Sequence, residues 1–411
     1  MSYRIVDIDL KDPVLEVLVA APDSGVAVLV RYQGRPLAFW MEKLATGRVM
    51  TSGEMTLRVA EKAGTRLVGE KLREELLTPD PPEKLPSLTI AVCTKDHPEQ
   101  LARCLDSILA ACQSATGWGG VYEVIVIDNS PSDDRTREMV AARASVRYVL
   151  EQKTGLDFAR NRALQEASGE LLAYLDDDVV MDPEWPGGLA EAWAQNRDAG
   201  GFTGLILPYE LVTEAQIVFE GAGGFRIAFD AGFDKLRFNR RVQTNWRYPF
   251  ESGVFGAGAN MVFRRQVLLE LGGFDEALDT GRPLPGGGDL DIFFRVVRAG
   301  HCIAYEPRCL VFHEHRRDLP ALRRQCWGWG LGFMAFVGKL YRTEKAERPM
   351  LRRLVLWWFR YHGRQFLVAL RQPVGFPPHF VARQICGGLQ GLCGEYGRSL
   401  RRVEKIRARF Q

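Results

Sequence analysis

A chain of 411 residues, 46% apolar and 26% charged, can fill two or three domains with the balance of an ordinary globular protein. That excludes a disordered, collagen-like or multi-span membrane chain, and a net charge of only +3 gives no ground for a nucleic-acid partner. The eight cysteines form no C-x-x-C pair and read as buried, reduced thiols of a cytoplasmic protein.

In chain order, YRIVDIDL, VAVLVRY and PLAFWM alternate as strands do, and Gln33-Gly34 marks a hairpin between the last two. Residues 54–77 have helical spacing. TPDPPEKLP at 78–86 holds four prolines in nine residues. These signals predict a β-rich accessory domain over 1–78 and a linker over 79–86. We expect no secretory signal in MSYRIVDIDL, and no apolar run reaches the ~18 residues of a membrane span.

The pattern then alternates strand and helix. SLTIAVCT, YEVIVID, VRYVLEQ and ELLAYL read as buried strands, separated by helices after Pro98, in DDRTREMVAAR and in GLDFARNRALQEA. This predicts an α/β domain over 87–317 with a mostly parallel sheet flanked by helices. In such sheets ligands bind beyond the carboxyl ends of the strands. Thr94 and Asp96, then Asp128, then Asp176-Asp177-Asp178 follow three of those ends. Residues 201–250 are glycine-rich with weak periodicity and read as loops and short strands around a pocket.

The adjacent carboxylates of Asp176–Asp178 repel one another unless a cation neutralises them, which suits Mg2+ or Mn2+ held together with substrate phosphates. Asp128 can accept from a base or a sugar hydroxyl, or form an Asx-turn. Arg160 suits a phosphate, a carboxylate across the cleft, or a surface helix. In GGGDLDIFFR the glycines suit a mobile loop bringing a carboxylate to substrate, while Asp289 and Asp291 would also serve a helix start. VFHEH puts His313 and His315 on one face of a strand. GAGAN lacks both the P-loop lysine and the third glycine of a dinucleotide fingerprint.

From Arg316 onward the chain carries 20 Lys/Arg against 5 Asp/Glu, a local excess of +15. With LVLWWFRYHGRQFLVAL, this predicts a basic, aromatic helical region over 318–411 that either meets an anionic membrane surface or packs on the core.

Together, IAVCTKDHPEQLARCLDSIL, EVIVIDNSPSDD, GLDFARNRALQEASGELLAYLDDDV, GANMVFRR, GGFDEAL, GGGDLDIFFRVVRAG and YEPRCLVFHEHR resemble a family 2 glycosyltransferase of the GT-A fold, from about Leu88 to Arg317. The resemblance implies an enzyme that moves a sugar from a nucleoside-diphosphate sugar to the hydroxyl of a glycan or lipid-linked acceptor, with inversion. It implies that Asp128 and Thr94 line the nucleotide pocket and that Asp176 and Asp178 form a D-x-D motif binding Mg2+ or Mn2+. Asp96, Arg160 and Asp177 are taken as further donor contacts. Asp289 is matched to the general base, and His313, or else His315, to a residue holding metal or diphosphate. Gly288 departs from the glutamate of many relatives, which leaves Asp291 as a competitor for the base. The expected setting is the cytoplasm, peripheral on the inner face of the membrane, in cell-surface glycan or glycolipid assembly. A non-catalytic, membrane-associated assembly subunit is the alternative, disfavoured because Asp128, Asp176, Asp178 and Asp289 are all present. A nucleotidyltransferase would want a glycine- and lysine-rich phosphate loop that TKDHPEQ does not supply.

Overall fold

The structure is a computed structural model and describes residues 2–76, 84–114, 118–225, 232–240, 245–371 and 376–410. Most of the expected linker lies outside these residues.

Alternating apolar runs build one large sheet. Its strands run in the order Val179–Met181, Cys302–His313, Ala199–Pro208, Asn260–Arg264, Leu171–Asp176, Leu88–Thr94, Tyr122–Asn129 and Val146–Glu151, with Leu236–Phe238 paired to Cys302–His313. The last four in that order are parallel to one another, and beyond them Asn260–Arg264 enters antiparallel to both its neighbours. Parallel strands are buried on both faces, so successive residues feed opposite cores. Ala91, Cys93, Ile125 and Ile127 face Ala159, Ala163 and Phe293. Ile90, Val92, Val124 and Val126 face Leu101, Leu105 and Ile108 of helix Pro98–Gln113, together with Trp185 and Leu189.

Register fixes where the polar residues emerge. Thr94 pairs with Asp128 and Cys93 with Asp176. The acids therefore leave the strands on either side of Leu88–Thr94 at the same carboxyl end of the sheet.

The glycine-rich stretch after residue 200 departs from expectation. Ala199–Pro208 is a fully buried central strand. Its glycines serve packing: a Cβ on Gly204 would lie 1.9 Å from the Cys309 carbonyl oxygen. A helix at Glu214–Gly221 follows, with Thr213 and Gln216 forming a reciprocal capping box.

The N-terminal residues form a small sheet from Ser2–Asp9, Asp23–Tyr32 and Arg35–Lys43, turned through Gln33 and Gly34 at positive φ. Val26, Val28 and Val30 pack on Met55, Val59 and Ala63 of helix Ser52–Leu76. Ala27, Leu29 and Phe39 join the core of the large sheet. Arg31 adds a buried 2.7 Å pair with Asp182, and Arg35 reaches Glu306 at 3.1 Å.

From Leu319 the described chain is helical: Leu319–Thr343, Arg348–Arg371, Pro378–Leu392 and Glu395–Arg407, with a short turn at Lys345–Glu347. No helix among the described residues is long and apolar enough to cross a membrane.

Candidate active site

The strand edge gathers most of the singled-out residues. Asp176, Asp178 and His313 place one ligand atom each within 4.8 Å of one another. Burial first, then mutual repulsion, pushes the Asp178 carboxyl upward, and burial does the same to Asp176. The buried His313 imidazole is held well below its usual value, hence neutral. Its Nε2 lies 3.3 Å from Asp178 Oδ1, and Arg316 stands 3.6 Å from Asp178 Oδ2.

Behind His313 runs a buried chain that sequence reasoning missed. His313 Nδ1 is 3.1 Å from His315 Nδ1, and His315 Nε2 is 3.1 Å from Glu220 Oε2. An ionised carboxylate only accepts, so His315 donates from Nε2, and with a neutral His315 ring its Nδ1 accepts. His313 then donates from Nδ1, leaving the Nε2 lone pair facing Asp178. Two acceptors facing each other at that distance suit a cation between them, because neighbouring ligands of a Mg2+-type octahedron sit roughly 3 Å apart. Two hard oxygens and one neutral imidazole thus fit Mg2+ or Mn2+. Phe219 lies edge-on to His315 at 4.6 Å, and Phe225 to His313 at 4.8 Å, keeping the chain dry. His315 therefore stands behind the cluster, supporting His313.

Asp177 accepts from Thr94 Oγ1 at 2.6 Å, and His97 lies 3.2 Å away. That hydrogen bond is the main cause raising the His97 imidazole. Both Thr94 and Asp177 are thus engaged in holding the strand ends together. Asp96, at positive φ, accepts from the Ser132 amide and hydroxyl at 2.7 and 2.9 Å, pinning the loop after the second strand.

Asp128 is fully buried. Its Oδ2 accepts from the Tyr148 hydroxyl at 2.9 Å, while Oδ1 has no hydrogen-bond partner among the described residues. Burial pushes its carboxyl up to about 6. An orphaned buried acceptor at a strand end suits a ligand donor.

Arg160 sits inside on carboxylates, the second of its expected partners, and not on the surface or free for a donor phosphate. Its Nη1 meets Asp157 at 2.9 Å and Asp279 at 3.2 Å, and its guanidinium lies over Phe274. Asp279 Oδ2 also accepts from the Gly288 amide. Asp157 explains the departure at Gly288: a Cβ there would lie 2.1 Å from Asp157 Oδ2. The Asp157–Arg160–Asp279 group occupies the space a side chain at 288 would need, and the loop turns over it through Gly286 and Gly287 at positive φ.

Asp289 and Asp291 separate cleanly. Asp289 is half-buried, and its Oδ2 accepts from the Gly258 amide at 3.2 Å. Asp291 is fully buried between Arg295 at 2.7 Å and Lys339 at 2.6 Å.

Comparison with known proteins agrees with this geometry. The family model described as glycosyl transferase family 2 matches residues 89–272. The glycosyltransferase AglE of Haloferax volcanii is 30% identical over 311 residues, 73% of this chain and 86% of that one. A glucosyl-dolichyl phosphate glucuronosyltransferase of the same organism is 24% identical over 199 residues, 47% of this chain and 57% of that protein. A pre-mycofactocin glycosyltransferase of Mycobacterium tuberculosis is 24% identical over 268 residues, covering 64% and 50%. The chain thus spans about half the length of these last two relatives. The helix-flanked α/β sheet agrees with the expected GT-A fold, though it is mixed and not mostly parallel, with four antiparallel and four parallel pairings among the described strands, and the chain belongs to glycosyl transferase family 2.

Proposed function

We propose that this chain transfers a sugar from a nucleoside-diphosphate sugar to an acceptor hydroxyl, with inversion at the anomeric carbon. The observation that carries the reading is the arrangement of carboxylates: an acidic pair with a neutral histidine at the strand edge, and a single half-buried aspartate on a glycine loop.

Asp128 Oδ1 accepts from the donor's base or ribose. Asp176, Asp178 and His313 hold Mg2+ or Mn2+ against the diphosphate, where the metal when bound offsets the charge growing on the leaving group. Asp289 takes the proton of the acceptor hydroxyl, its Oδ2 oriented by the Gly258 amide. The neighbouring acids are committed to cations: Asp157 and Asp279 to Arg160, Asp291 to Arg295 and Lys339. None of these three is left as a second nucleophile, which favours one direct displacement.

We read residues 1–78 as an accessory domain bracing the sheet, joined through 79–86 to the GT-A domain at 87–317, with the helical region from 318 onward. On helix Arg348–Arg371, Leu356, Leu367, Val368 and Leu370 are exposed beside Arg352, Arg353, Arg360, Arg364 and Arg371. Apolar and cationic side chains on one helix favour an anionic membrane surface as partner, on the cytoplasmic side.

The test is nucleoside diphosphate release from a panel of donors, with and without Mn2+. Release should require metal, and Asp176→Asn or Asp178→Asn should abolish it without unfolding the protein. Undiminished turnover in either variant would sink the metal assignment.

A further inference from the structure

Helices Leu319–Thr343 and Pro378–Leu392 touch backbone to backbone. A Cβ on Gly330 would lie 2.0 Å from the Gln384 carbonyl oxygen, and one on Gly387 would lie 2.0 Å from that of Trp327. This contact fixes three arginines around one groove of about 290 Å³, lined by Pro320, Arg323, Arg324, Trp327 and Arg383. No carboxylate among the described residues pairs with any of the three, although most other arginines of the fold are paired. The Arg323 Nε is buried and has no hydrogen-bond partner among the described residues. Like charges held together by a rigid helix contact repel, and a buried guanidinium donor left unpaired is destabilising, unless an anion binds.

The groove adjoins the loop that carries Asp289. Trp327 packs on the cluster containing Leu278 and Leu284. One residue further, Gly328 faces Pro285, and Gly332 faces Gly286. The same helix therefore supports the glycine loop and presents the arginines. The donor's diphosphate belongs at Asp176 and Asp178, so a second anion site against the segment Leu278–Gly286 that leads to Asp289 suits the acceptor. Its apolar walls, Pro320 and Trp327, suit a hydrocarbon chain next to the charge.

We infer that this groove binds the phosphate group of a lipid-linked acceptor. The inference deepens the proposed function and rests on it for the acceptor's role. Arg323 and Arg383, on facing helices, clamp the phosphate oxygens from two sides, and Arg324 adds charge at the rim.

The experiment measures binding to the full chain by calorimetry, using a short-chain prenyl phosphate, the matching prenol, and inorganic phosphate. The wild type should bind the prenyl phosphate, and neither the prenol nor inorganic phosphate should match it. The triple variant Arg323→Gln, Arg324→Gln, Arg383→Gln should bind it about 10–100-fold more weakly, as loss of charge-assisted bonds predicts. Arg383→Gln alone, on an exposed side chain, should weaken it in the same direction and guards against misfolding of the triple variant. Mn2+ and nucleotide affinity should stay unchanged in both. Equal binding by variant and wild type overturns the site. Prenol or inorganic phosphate binding as tightly as the prenyl phosphate overturns the lipid phosphate as its ligand. Slow transfer of the donor sugar to water is followed in parallel. Its absence from the wild type would remove the donor reading while leaving the phosphate-binding result to stand by itself.

Discussion

Replacing Glu220 with alanine tests whether the buried histidine chain sets the metal ligand. With both rings neutral, Glu220, 3.1 Å from His315 Nε2, fixes the proton there and so fixes the proton of His313 on Nδ1. Without the carboxylate, His315 is free to carry its proton on Nδ1. His313 must then protonate at Nε2 or lose its hydrogen bond, and either change opposes ligation. A hydrogen bond to a charged group contributes about 1.5–3 kcal/mol, so Mn2+ affinity should fall roughly 10–100-fold. Mn2+ affinity is read by electron paramagnetic resonance titration, and the proton positions by imidazole nitrogen chemical shifts of the metal-free protein. Glu220→Gln, whose amide oxygen still accepts, should recover most of the loss. The reasoning is refuted if Glu220→Ala binds Mn2+ within about twofold of wild type. It is refuted equally if the glutamine variant is as weak as the alanine one.

Four further outcomes are expected. Asp289→Asn should lower kcat by about 10²–10⁴ with donor Kd and Tm nearly unchanged. Asp291→Asn should instead lower stability by about 3–5 kcal/mol in a denaturant titration, because Lys339 and Arg295 lose a buried counter-ion. For Asp128, held near 6 by burial, the folded form retains a proton that the unfolded chain releases near 4, so its contribution to stability is present at low pH and is lost as pH rises through about 6. Donor affinity moves oppositely, weakening below about 6 as the acceptor is protonated, and Asp128→Asn should flatten both profiles in calorimetry and thermal melts. The full chain should sediment with anionic vesicles more than with neutral ones, and less so as salt rises. Equal partition to both would return the exposed apolar residues of Arg348–Arg371 to ordinary helix packing.

Much of the parallel half of the sheet was legible, for a local reason. Three of its strands are apolar runs long enough to be buried on both faces and end in the polar residues that mark the site, while the edge strand Val146–Glu151 is half exposed. Ala199–Pro208 was not legible because its three glycines imitate a loop; their close-packing role depends on Cys309 and Phe263, far away in sequence. The capping box at Thr213 and Gln216 was readable in principle and would have placed the helix that carries Glu220. Glu220 itself carries no local signal. Its partner lies 95 residues later, and only the packing of that helix beside the strand end joins them. For the arginine in GLDFARNRAL, sequence left phosphate, carboxylate and surface open because its two carboxylates are not both local: Asp157 is three residues before it, but Asp279 is 119 residues after it.

The basic excess after Arg316 divides by use, and the division bears on how the helical region serves the site. Some of those cations are spent internally: Lys339 on Asp275 and Asp291, Arg398 and Arg402 on Glu395, Arg407 on Glu276. Asp275 and Asp291 flank the glycine loop in sequence, so Lys339 ties helix Leu319–Thr343 to both ends of the segment that presents Asp289. On the same helix, Trp329 packs at a tilt, 5.8 Å between ring centres, against Phe219, the ring that covers His315. The helix thus closes the histidine chain with one face and braces the base loop with another. Other cations have no carboxylate partner among the described residues: some are spread over the exposed surface, Arg401, Lys405 and Arg409 among them, and some line helix Arg348–Arg371 beside its exposed leucines. Arg323, Arg324 and Arg383 differ in sharing one groove with Trp327, which packs on the segment of Leu278 and Leu284 leading to Asp289.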